Sequence, residues 1–268
     1  MKISLVNLLL DPAVTITATS EDAVYTAANL ADPARPFLPW KSGTLDVPET
    51  SPQVLSVDLG TTRDVAAVTP IHANFALVNV ALGLSAPGDL GGVNNVAIGQ
   101  NLVNTRYQSV CDLDGPVTAR YLDLTIHTNQ TKLDGLSVYR LGGLWVGAWA
   151  DVPEVHKWGH HVLPVLPRLD KQPPSEAWRQ RLIMGRPLLR MAQERIALVG
   201  PVPGLNDQLA ACQAFDAALA LAGPFLCWLE ESDPRQVAVV MVTSKPDWTL
   251  EKFWAEDKAM EFEEVIER

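Results

Sequence analysis

The chain has 268 residues, 47% of them hydrophobic and 19% charged, so it can bury a sizeable core and is not disordered as a whole. Its formal net charge is −10, from 21 basic and 31 acidic residues, and it has no Lys/Arg block, which argues against nucleic acid and anionic membranes as partners. With 20 Pro and 17 Gly it promises many turns and short strands, not a helical bundle.

In chain order, Ile3–Leu10 is too short, and too broken by Asn7 and Asp11-Pro12, to read as a secretion signal. Val14–Thr19 alternates apolar and polar residues as a half-buried strand does, and 21–30 supplies at most a short helix. Further strands are expected at Val54–Leu59, Val65–Val68, Val93–Ile98, Arg120–Ile126 and Leu136–Tyr139, separated by Gly, Pro, Asn and Asp clusters. Residues 1–143 therefore read as an all-β sandwich. Residues 144–268 form a second domain, opening with a Trp-rich, Pro-rich connection. Its strands are expected at 178–184, 188–199, 225–229, 237–242 and 260–266. One helix, about 207–222, is capped by Asn206 or Asp207 and stopped by Gly223-Pro224. No apolar run reaches the ~20 residues of a membrane-spanning helix. Cys111, Cys212 and Cys227 lack CxxC spacing and read as buried free thiols.

Asp58-Leu-Gly-Thr-Thr62 is similar to the phosphate-binding hairpin of actin-like ATPases and sugar kinases. Such a hairpin needs a second phosphate loop and alternating β and α segments, which this chain lacks. The stretch is therefore read as a strand, a turn at a positive-φ Gly60 and an antiparallel strand. His156, His160 and His161 suggest a metal site, but Gly159, Pro153 and Pro164 argue against the helix that would align them. There is no GxSxG elbow, and the adjacent Glu230 and Glu231 would lie on opposite faces of a strand. The expectation is no catalytic residue, no metal and no cofactor.

Pro39-Trp-Lys-Ser42, Leu55–Gly60, Val65–Val68 with His72-Ala-Asn74, Ala119–Leu124 and Leu136–Tyr139 together resemble the discoidin (coagulation factor 5/8 type C) sandwich. The order of these motifs, continuing through Leu141-Gly-Gly-Leu-Trp145, Gly223-Pro-Phe225, Glu231–Pro234 and Phe262–Ile266, is similar to tail-tip proteins of tailed bacteriophages. Lys157–His161 departs from that pattern, standing where relatives carry a more polar, Gly-rich strand. The resemblance implies a mainly β protein: an N-terminal jelly-roll-like, galactose-binding-like sandwich, with Trp40 plugging its core, then a tail-tube-like β domain with one flanking helix.

It implies a structural virion protein made in the host cytoplasm, a ring-forming, distal-tail-like part of the tail tip or baseplate. The ring is a homo-oligomer, a hexamer before a trimer, meeting the tail tube, tape-measure and hub proteins. The alternative is a carbohydrate-binding adhesion module contacting a cell-surface glycan. Candidate interface anchors are Trp145, Trp149, Trp158 and Trp178, which could equally be interdomain core. The candidate glycan-contact loop carries Asn101, Asn104, Arg106 and Tyr107.

Overall fold

The computed structural model describes residues 2–31, 39–45, 49–87, 90, 93–100, 107–150, 158–163, 188–193, 224–228, 231–244 and 259–264. The protein is mainly β, and it divides into two compact units. The sandwich unit comprises Val6–Trp149, Glu230–Val237 and Glu267–Arg268; the second unit comprises Met1–Leu5, Ala150–Leu229 and Ala238–Ile266.

The expected split at 143/144 differs from this partition at both ends. The first strand, β1 (Lys2–Ser4), pairs antiparallel with Phe225–Trp228 in the second unit, Ile3 opposite Cys227. Ile3, Phe225, Leu226 and Cys227 are fully buried, so three residues of the amino terminus complete a distant sheet by burying apolar side chains. The sandwich is thus an insertion that follows the first strand of the second unit.

Within the sandwich, β2 (Thr15–Ala18) and β3 (Trp40–Lys41) precede a long β4 (Gln53–Ile71). There follow β5 (Leu77–Gly83), β6 (Val93–Ala97), β7 (Gly99–Gln100), β8 (Tyr107–Gln108), β9 (Cys111–Ile126), β10 (Arg140–Leu141) and β11 (Gly143–Gly147). The main sheet runs β11-β4-β9-β5-β6, with β2 also on β4; β3 pairs with β10 and β7 with β8.

The 19 residues of β4 would span roughly 60 Å if straight. Yet Gln53 and Val78 both pair with Ile126, and Ile71 is joined to β5 by a connection, 72–76, that reaches only about 20 Å. The strand must double back. It does so where β4 carries extra residues between the pairs Asp58↔Tyr121 and Arg63↔Ala119; β9 compensates between Val65↔Val117 and Ala67↔Asp112.

Gly60 sits in the first irregularity with φ +74°, its N–H donating to Asp58 Oδ1 at 2.8 Å. A Cβ there would stand 2.8 Å from the Ala13 carbonyl oxygen. The expected hairpin is thus a bulged corner within one strand: locally both are strand, glycine, strand, and only the shared partner β9 tells them apart.

The doubled ribbon faces its core from both sides: Leu55, Val57 and Leu59 before the corner, Val65 and Val68 after it, closing on Trp40, Phe75, Leu122, Leu124 and Tyr139. Trp40 is fully buried, as the core plug should be. Leu136–Tyr139 is not a strand. Asp134 Oδ1 accepts the Leu136 N–H at 3.1 Å and Gly135 has φ +75°, so the segment turns, and pairing begins only at Arg140. The short helix expected in 21–30 is a 3-10 turn, Ala27–Ala31.

The chain leaves the sandwich beside the point where it enters. The buried Asn7 side chain donates to Leu144 O at 3.0 Å and accepts from the Val146 N–H at 3.1 Å. That residue stitches the first segment of the unit to β11. In the second unit, β12 (Trp158–Leu163), β13 (Leu188–Gln193), β14 (Phe225–Trp228), β15 (Val237–Ser244) and β16 (Ala259–Glu264) join β1 in the order β1-β14-β15-β16-β13-β12. The expected helix at 207–222 and strand at 178–184 lie outside the described residues.

Candidate functional site

Because β4 and β9 both double back, one end of the sandwich gathers most of its connections. The pairs Gln53↔Ile126, Leu77↔Ala97 and Gly143↔Ile71 place 19–25, 42–45, 49–52, 72–76, 127–139 and the paired residues of β7 and β8 at that end. Backbone bonds knit them: Ala73 N–H to Tyr107 O at 2.9 Å, Asn74 N–H to Arg140 O at 3.1 Å, and Leu133 N–H to Asn74 O at 2.7 Å.

Glu49 and Tyr139 are the centre of this loop end. Glu49 Oε2 accepts from the Tyr139 hydroxyl at 2.7 Å and the Asn129 N–H at 2.8 Å, and Lys132 Nζ donates to Oε1. Asn129 returns two bonds to the Glu49 backbone. Lys132 Nζ also lies 4.2 Å from the Tyr139 ring centroid, and Phe75 meets that ring edge-on at 6.2 Å. Burial pushes the Glu49 carboxyl up, but hydrogen bonds from Lys132, Tyr139 and Asn129 outweigh it and hold it below the usual carboxylate range. Burial, then the Glu49 hydrogen bond, push the Tyr139 phenol well up, so it stays a donor.

Around this knot, Gln130 bridges the edge of β5, accepting from the Ala76 and Leu77 N–H groups and donating to Leu77 O at 2.8 Å. A ring nitrogen of His127 meets Asn79 Oδ1 at 2.9 Å, which orients the half-buried imidazole. Asn74 donates to Asp134 Oδ1 and Val138 O, both at 2.9 Å. On the β3 side, Lys41 Nζ stands 3.7 Å over the Tyr25 ring. These loops are fixed by their own side chains; Tyr139 and Phe75 are fully buried beneath them, and the half-buried Tyr25 and Tyr107 are the rings at this end that a hydroxyl-rich ligand could reach at little ordering cost.

Of the candidate glycan residues, Tyr107 lies at this end, half-buried in β8. Asn101, Asn104 and Arg106 lie outside the described residues. Glu49, His127, Asn129, Gln130, Lys132 and Tyr139 escaped the sequence reading because each is an isolated polar residue until loops far apart in sequence meet.

Of the tryptophans, Trp145 is 2% exposed, on the face of β11 opposite the core residues Leu144 and Val146, so this chain itself covers it. Trp149 is half-buried, its Nε1 donating to Asp112 Oδ1 at 3.0 Å. Trp158 lies in β12 with His160 and His161, where only the backbone is described; Trp178 and His156 lie outside the described residues.

Asp58 is held by Arg120 in a bidentate pair at 2.9 and 3.0 Å, which keeps its carboxyl low and its oxygens engaged. Among the described residues no group of three or more His, Cys, Asp or Glu could hold a metal ion, and no helix is long and apolar enough to cross a membrane. Glu231 lies exposed in a turn. Cys111 and Cys227 are buried free thiols, pushed up by burial to about 11 and about 12.

No family model and no curated protein sequence matches the chain. Solved structures do match about half of it. The family 32 carbohydrate-binding module of Clostridium perfringens NanJ, in complex with galactose, is 17% identical over 55% of this chain and 98% of its own, with a TM-score of 0.40. A fucose-binding module of Streptococcus pneumoniae is 16% identical over 53% and 94%, at 0.39. A chitosan-binding module from a Paenibacillus chitosanase/glucanase is 20% identical over 53% and 99%, at 0.37.

Proposed function

We propose that the protein is a non-catalytic carbohydrate-binding module built into a structural subunit: the sandwich offers its loop end to a glycan, and the second unit supplies the scaffold that holds it. The observation that carries this reading is the loop end itself, where several connections are locked by side-chain hydrogen bonds around Glu49 and the buried Tyr139 into a rigid polar end that also carries the half-buried rings of Tyr25 and Tyr107. The non-catalytic part of the reading is supported by the Asp58–Arg120 pair, which engages both oxygens of the carboxylate in the DLGTT stretch. Galactose and fucose, the sugars bound by the similar modules, are the first probes. Titration of the full chain should give saturable binding that His127→Ala weakens by about tenfold, the size of one or two lost hydrogen bonds. No binding to these sugars or to a broad glycan array at millimolar concentration sinks the reading.

A second reading places this module in a phage tail tip, as a ring-forming, distal-tail-like virion protein. It is favoured by the ordered series of sequence motifs and by a second unit whose six-stranded sheet closes with the chain's own first strand. In that setting the ring is a hexamer and the sandwich touches the cell surface. Reconstruction of the intact particle decides it. A chain absent from any tail excludes the virion role and leaves the glycan reading untouched.

A further inference from the structure

The turn that follows β14 belongs to the sandwich unit, more than a hundred residues along the chain from the strands it meets. It presses on the base of the β7–β8 hairpin from the side opposite 70–73. Pro234 O accepts the Val110 N–H at 2.9 Å, and Val237 O accepts from Gln108 Nε2; Gln108, Val110, Gln236 and Val237 are all buried. The Arg235 stem lies directly on Gly99, where a Cβ would stand 2.2 Å from Arg235 Cδ. No larger residue fits at position 99 without moving that arginine.

Arg235 is itself fixed. Its Nε and Nη2 form a fork with the Asp233 carboxylate at 2.8 and 2.9 Å, and Asp233 also accepts from the Arg235 and Gln236 backbones and the Gln236 amide. The guanidinium holds the Asp233 carboxyl at about 2, so it stays ionised and able to accept from Arg235 at ordinary pH. Across the hairpin, Pro70 O accepts the Ser109 N–H at 3.4 Å and Tyr107 O accepts the Ala73 N–H at 2.9 Å. The hairpin base, Gly99↔Gln108 and Gln100↔Tyr107, is gripped on both sides.

We propose that the turn Ser232–Val237 is a clamp on the β7–β8 hairpin, and that Arg235 and Gln108 are positioning residues for the loop end of the sandwich. One side of the candidate ligand surface is thus set by a segment outside the sandwich's continuous sequence. The importance of the clamp for a ligand rests on the glycan reading; the clamp itself does not.

The test is amide hydrogen exchange on the full chain, with Arg235→Ala, Arg235→Lys and Gln108→Ala. Exchange at Gln100 and Tyr107–Val110 should rise roughly tenfold in both alanine variants, while Leu122–Ile126 stays unchanged. Arg235→Lys, which keeps the aliphatic stem on Gly99, should restore most of the protection. Unchanged exchange at the hairpin overturns the clamp, as does an equal rise in Leu122–Ile126, which marks general loss of stability. In parallel, galactose binding is measured by titration. If the wild type binds and Arg235→Ala binds equally well despite faster exchange, the positioning role is overturned. If the wild type binds no galactose, the glycan reading loses its first probe while the exchange result still decides the clamp.

Discussion

At the scale of single residues, the sandwich depends on a few positions where chemistry and backbone demand one residue type. Gly60 combines a left-handed backbone with a Cβ position occupied by Ala13. Gly60→Val should lower stability by roughly 2–4 kcal/mol in a denaturant melt, through strain and collision together. An unchanged midpoint rejects the corner geometry. Tyr139→Phe keeps the ring but removes one of the three hydrogen bonds to the Glu49 carboxylate, at a cost of about 1–3 kcal/mol in a denaturant melt.

Glu49 also sets a pH dependence. Its pKa in the folded protein lies below its ordinary value of 4.5, so its contribution to stability is complete above that pH and is lost as pH falls through the lowered value. Denaturation of Glu49→Gln should show a flatter acid limb below pH 4.5 than the wild type; parallel limbs rule this carboxylate out as the source. The positive φ at Gly60 and the burial of Trp40 were both legible in the sequence. The Glu49–Tyr139 knot was not, because its members come from loops 80–90 residues apart.

At the scale of elements, the sequence showed strands where apolar and polar residues alternate and hid those built otherwise. β2 and the first half of β4 alternate visibly, and the second half of β4 was found as the apolar run that follows the Gly60 turn. β5, an apolar run with only Asn79 to break it, gave no alternation, since both its faces are largely covered. β11 reads as a linker because glycines flank Leu144-Trp-Val146, yet Leu144 and Val146 lie in the core. β1 is three residues long, too short to carry any period. Its importance can be measured: Ile3→Ala should cost about 2–4 kcal/mol in the second unit, read as faster amide exchange in β14 with β9 unaffected. Equal effects on both strands contradict the pairing of β1 with β14.

At the scale of the whole molecule, the two compact units and a boundary at residue 143 make different predictions for fragments. A fragment 1–143 lacks β11 beyond its first residue and leaves Asn7 without its partners on that strand. It should be insoluble or molten. A fragment 6–149 keeps β11 and the Asn7 stitch and should give a folded β protein with a cooperative melt. If the two fragments behave alike, β11 is dispensable and the division at 149/150 has no energetic meaning. The all-β character was legible from turn residues and strand spacing alone. The nesting of one unit inside the other was not, because nothing local in Lys2–Ser4 names a partner more than two hundred residues away.

That nesting also imposes an order in time. β1 is synthesised before the sandwich but cannot pair until β14 has been made, a wait on the order of ten seconds or more at ordinary elongation rates. During that interval most of the sandwich is complete and can fold as a unit, bringing Leu144 and Val146 back beside Asn7 and shortening the loop that β1 must close. Closing the sandwich thereby shortens the stretch of chain that separates β1 from β14 before the two can pair. A lesion confined to the sandwich should therefore slow the maturation of the second unit, although no residue of that unit has changed.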